Sequence, residues 1–139
     1  MERDIEQDVK FDRYQLDKCL EDVGAANLYW SRAATDAEND AEMAKAALKR
    51  VEQVEYLRVK SDNPKVTDTT AKAMAVTSDA YTKANEEYLA AVRKANDLAC
   101  AKNLVIDTIQ RMQAEVRLVA AGYFAGDGIS GGATNSRLK

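Results

Sequence analysis

The sequence predicts an all-α protein: two long antiparallel helices forming a coiled-coil-like helical hairpin, with short N-terminal and linker elements, assembling into an oligomer. Three observations predict it. Apolar residues recur every seven positions from about residue 13 to 60 and again from about 78 to 122, the spacing that holds one stripe on one helix face. The only proline, Pro64, falls between the two patterns. Five of the six glycines lie from Gly122 onward, which leaves the patterned stretches almost free of breakers. A helix over 13–60 would run roughly 70 Å at ~1.5 Å per residue, far beyond the ~11–12-residue average. A rod of that length encloses no ordinary core, so the chain is read as part of an assembly.

The elements follow in order. Residues 2–11 mix charge with Ile5, Val9 and Phe11, suiting a short extended arm or a first helical turn. Asp12 is the expected N-cap of the first long helix, with Gln15 at the capping-box position. One line of the seam runs Leu16, Val23, Trp30, Ala37, Ala44, Val51, and the other Leu20, Asn27, Ala34, Ala41, Leu48. Gly24 lies inside this helix and costs about 1 kcal/mol against alanine without ending it. Ser61-Asp62-Asn63-Pro64 ends the helix, because the residue before proline is pushed out of the α region. Thr67 or Asp68 can cap a short helix through Met74, and Ser78 or Asp79 can open the second long one.

That second helix carries three seven-spaced lines: Ala84 to Val119, Tyr88 to Tyr123, and Val92 to Ala120. This is a broader face than a two-stranded seam needs, and another copy of the chain is the expected cover. Residues 1–125 are thus one helical oligomerisation and binding domain. Residues 126–139, rich in glycine and small polar residues, are a flexible tail.

Composition removes whole classes of function. There is no histidine, hence neither the commonest general base nor the commonest metal ligand. Cys19 and Cys100 have no ligand spacing and read as small buried helix-face residues in a reducing cytosol. Paired acids such as Glu86-Glu87 sit beside lysines and arginines as solvated helix faces, and the di-iron pattern requires histidine. Gly126-x-Gly128-x-x-Gly131 spells a dinucleotide fingerprint, but a helix precedes it where a strand is required. The expectation is a protein that is not an enzyme and has no cofactor or metal. An acidic start without an apolar core (Glu2, Asp4, Glu6, Asp8) is no signal peptide. The longest apolar stretch is too short to span a bilayer, so a cytoplasmic protein without a membrane partner is expected.

Charge is uneven. Asp36, Glu38, Asp40 and Glu42 form an acidic block, whereas residues 45–65 hold six cations against three acids, a net +3 in a chain of net charge -3. Tyr56, Arg58 and Lys60 interleave an aromatic with basic residues beside the turn, with Lys49, Arg50 and Lys65 as neighbours. Two readings stand: a charged helix end favoured by the macrodipole, or a patch that contacts phosphate. Trp30 falls on the seam and reads as core. Tyr29, one step off it, can face a partner or a base.

The order of these features resembles the UvsY family of phage recombination mediators. The likeness is one of layout across nearly the whole chain. It runs from Asp8-Val9-Lys10-Phe11-Asp12 through Leu28-Tyr29-Trp30 and Tyr56-Leu57-Arg58-Val59-Lys60 to Thr67-Asp68-Thr69-Thr70-Ala71-Lys72 and a last long helix. The resemblance implies a ring-forming homo-oligomer that binds single-stranded DNA. It also implies help in loading a recombinase onto strands coated by a single-strand-binding protein, in a host cytoplasm. By position, Arg58 and Lys60 inherit the family's DNA contacts. Glu52 and Glu55 interrupt the basic run that the family carries there. The alternative reading is a coiled-coil structural or adaptor protein of phage assembly.

Overall fold

A computed structural model describes residues 2–122. Four α-helices occur there in the order α1 (Ile5–Asp8), α2 (Leu16–Asp62), α3 (Asp68–Val76) and α4 (Asp79–Ala120), with a 3-10 turn at Arg13–Gln15 leading into α2. No strand occurs among the described residues, and the all-α class stands. The glycine-rich tail and its dinucleotide-like spacing lie outside the described residues. So does Tyr123. No helix among the described residues is long and apolar enough to cross a membrane.

Helix boundaries follow local capping chemistry. Asp12 caps the 3-10 turn, its side chain accepting from the Tyr14 amide at 2.9 Å. The expected capping box does not form: the Gln15 amide bonds the Asp12 carbonyl instead, closing a tighter turn. The 47-residue α2 passes through Gly24 unbroken and runs two residues past Lys60. Thr67 caps α3 by accepting from the Thr70 amide. The Ser78 hydroxyl accepts from the Tyr81 amide at 3.2 Å, so Ser78 caps α4 and α3 is separate from it. Gly122, at φ +73°, closes α4 with its amide donating to Val119. A left-handed residue there favours glycine.

The chain forms two compact units. Among the described residues the first takes 2–30 and 101–122; the second is Ser31–Cys100. In the first unit Val23, Ala26, Trp30, Ala101, Val105 and Met112 are buried. Of the two forms open to residues 2–11, the chain takes the helical one, a single turn over Ile5–Asp8 capped by Asp4. The Asp8 carboxylate ties that turn down. It accepts from Arg3 Nε and Nη2 at 2.9 and 2.8 Å and from the Trp30 indole Nε1 at 2.8 Å. The Arg3 bonds first, then the indole, hold its pKa below the usual carboxylate range against the opposing effect of burial. The Arg111 guanidinium lies 5.7 Å from the centre of the Phe11 ring, a cation–π contact that seats the chain just before Asp12.

In the second unit the buried apolar positions are mostly small: Ala34, Ala37, Ala71, Ala75 and Ala95, with Leu48 and Val59; Cys100, expected to be buried, is exposed on α4, and Cys19 of the first unit is half-buried. All eleven predicted seam positions of α2, across both units, are buried or half-buried. The broad face of α4 stays at least half-buried along its three lines as far as Ile109, and then Gln113, Val116, Val119 and Ala120 are exposed.

Three outcomes are expected. A Cβ at Gly24 would meet nothing within 4 Å, so Gly24→Ala should stabilise α2 by about 1 kcal/mol in chemical denaturation. Trp30→Phe keeps an aromatic ring and loses the indole donor, and should cost about 1–2 kcal/mol. The Asp8 clamp should be intact above the ordinary carboxylate value of ~3.9 and open as pH falls through its lower folded value. The fluorescence of Trp30, the only tryptophan, should report that step in the native chain. Asp8→Asn should remove it.

Candidate nucleic-acid interface

The six residues singled out at the basic end of α2 all belong to the second unit. The structure sorts them into two groups. Tyr56, Arg58 and Lys60 are engaged by neighbours; Lys49, Arg50 and Lys65 are exposed, with no ion pair to their side chains among the described residues.

Asp68, the first residue of α3, organises the engaged group. Its Oδ1 accepts from the Tyr56 hydroxyl at 2.9 Å and lies 2.7 Å from Lys60 Nζ. Lys60 also donates to the Val66 carbonyl at 2.8 Å, which ties α2 across the Pro64 turn. These contacts have consistent electrostatic signs. The hydrogen bonds from Lys60 and Tyr56 lower the pKa of Asp68, and the bond to Asp68 raises those of Lys60 and Tyr56. Arg58 reaches back one turn: its Nε and Nη2 bond Glu55 Oε2 at 3.0 and 2.6 Å. The Arg58 side chain stays more than half exposed while that of Glu55 is nearly covered.

Sequence reasoning misses why Glu55 is there. It occupies the next seven-spaced place after Leu20, Asn27, Ala34, Ala41 and Leu48, and it is buried. A charge on a seam demands a counter-charge, and Arg58 supplies it. Extending the seven-residue count by one step finds this. Asp8 carries no such periodic signal, because its partners lie 5 residues back and 22 residues ahead.

The remaining concave surfaces carry less chemistry. A groove of about 580 Å³ in the first unit is lined by Leu16, Val116, Val119, Ala120 and Tyr14 together with charged residues that include Asp17 and Lys18. A cleft of about 380 Å³ in the same unit is lined by Lys10, Phe11, Arg13, Arg111 and Glu115 with Val9. No group of three metal-ligating side chains occurs among the described residues. Comparison with known proteins gave no matching family model, no matching curated protein and no matching solved structure.

The hydrogen bond to Asp68 makes a direct prediction. In a spectrophotometric titration one tyrosine should ionise above the ordinary value of ~10. In Asp68→Asn, whose amide carries no charge to hold the phenolic proton, that late component should move down.

Proposed function

We propose that the protein is a non-catalytic, self-associating helical protein that binds single-stranded DNA and assists the loading of a recombinase onto strands coated by a single-strand-binding protein. In this reading α2 and α4 run antiparallel as a hairpin, and copies associate through apolar side chains left exposed on the long helices. The observation that carries the nucleic-acid part is the concentration of solvent-facing cations at the end of α2. Lys49, Arg50 and Lys65 are exposed, and the side chain of Arg58 is more than half so. The resemblance of its residue order to the UvsY-type mediators points the same way.

The pairing of Arg58 with Glu55 and of Lys60 with Asp68 does not remove these cations from use. Asp68 faces solvent, and such ion pairs add little to stability, so a phosphate can take its place on Lys60 at small cost; Arg58 stays with the nearly covered Glu55 and offers a phosphate the donors that Glu55 leaves free. One chain offers a net +3 over residues 45–65. Several copies placed side by side would multiply that, and binding would gain by multivalency what one copy lacks.

A second reading, a structural or adaptor protein without nucleic-acid binding, is favoured by one observation. The residues best matched to the family's DNA contacts, Arg58 and Lys60, already have carboxylate partners in the chain. Binding of a labelled single-stranded oligonucleotide separates the two. On the first reading it is tight at low salt, indifferent to sequence and steeply weakened by salt. Lys49→Ala with Lys65→Ala should then lower affinity and flatten the log–log salt dependence by about 0.7 for each phosphate that is no longer neutralised, with helix content unchanged. No binding at micromolar protein and low salt would leave the structural reading in its place.

A further inference from the structure

Within the second unit α2 carries a largely exposed apolar stripe. Met43, Val54 and Leu57 are 70%, 61% and 63% exposed. With Ala46, Ala47 and Arg50 they follow the three-and-four spacing of one helix face. At ~100° per residue they fall within about 50° on either side of a common line. The buried positions Leu48, Glu55 and Val59 lie on another side of the helix. This is a second face, separate from the predicted seam.

We infer that this stripe is the docking surface for a second copy of the same chain, laid antiparallel and centred on Arg50. Charge complementarity selects that occupant. The stripe is flanked by two further lines, one holding Asp40 and Arg58 and the other Glu42 and Lys60. The members of each pair are eighteen residues apart, about five turns at 3.6 residues per turn, so both share an azimuth. In an antiparallel twofold pair centred near residue 50, Asp40 of each copy comes opposite Arg58 of the other on one flank. Glu42 comes opposite Lys60 on the other flank. Both matches are offset by two residues, about 3 Å along the axis, within reach of long side chains. On the stripe itself Met43 meets Leu57, and Val54 meets Ala46 and Ala47. A parallel copy in register would instead set acid against acid and base against base.

Existing partners leave capacity for these contacts. Arg58 uses two of its nitrogens on Glu55, and Lys60 uses Asp68 and Val66, while a guanidinium has five donors and an ammonium three. One element opposes the pair: the two Arg50 side chains meet at the twofold. Their length lets them extend along the apolar stripe toward water, but the contact keeps a like-charge cost. The inference is independent of nucleic-acid binding. The inference deepens the self-association in the proposed function; Arg50, Arg58 and Lys60 face the pair, while Lys49 and Lys65 lie off the stripe and remain for a strand bound by the paired chains.

Disulfide trapping of the full chain tests both occupant and direction. In a background carrying Cys19→Ala and Cys100→Ala, Arg50→Cys should link to itself under mild oxidation and shift the band from 15.3 kDa to twice that mass. Met43→Cys alone and Leu57→Cys alone should stay monomeric on the gel, and their mixture should give the cross-linked product. Circular dichroism of each variant confirms that the helices are kept. Self-linking of Met43→Cys and of Leu57→Cys would mean a parallel arrangement, and failure of the mixture to link would mean that a second copy does not cover the stripe. Either overturns the inference. Independently, Arg50→Leu should tighten self-association severalfold, and weakened self-association in that variant would contradict the twofold placement.

Discussion

The small side chains on the helical seams set the terms for the rest of this protein. Alanines at 34, 37, 71, 75 and 95 are buried, and they allow close approach while burying little apolar area each. Hydrophobic stabilisation scales with the area removed from water, at ~25 cal/mol per Å². A seam built this way leaves large apolar side chains with nowhere to go. Met43, Val54, Leu57, Leu89, Leu104 and Val119 are all exposed. Where such side chains line one helix face, as Met43, Val54 and Leu57 do, the proposed self-association would cover them.

Polar contacts supply what the thin seams lack, and they do so at chain turns. Asp8 gathers Arg3 and Trp30 at the N-terminal end, and Asp68 gathers Tyr56 and Lys60 across the Pro64 turn. In both places one carboxylate joins two elements that apolar packing alone would hold loosely. Glu55 and Arg58 solve a different problem, the charge that the seven-residue repeat places on a buried line. The basic end of α2 is thus part structural lock and part solvent-facing surface. Lys49, Arg50 and Lys65 make up the second part.

The helices were legible in the sequence because periodicity, proline and capping residues all act locally. Of the paired candidates, Thr67 and Ser78 are the caps, whereas Asp12 caps a 3-10 turn ahead of α2 and the short helix expected to end at Met74 runs on to Val76. The seam of α2 was legible for the same reason. What escaped was long-range or conditional. The Asp8 clamp depends on which helix face Trp30 turns toward the N-terminal segment, and no spacing rule reports that. The pairing of Lys60 with Asp68 depends on the angle at which α3 leaves the turn. A lysine and an aspartate eight positions apart across a proline give no hint of contact. The candidate site was therefore legible as a concentration of charge and not as a pattern of engaged and exposed cations.

The division between thin seams and exposed apolar faces is most directly probed by sedimentation equilibrium over a wide concentration range. A mass that rises with concentration to two or more times 15.3 kDa is the expected result. A mass of one chain at every concentration up to the millimolar range would contradict it and would mean that these faces are left in water.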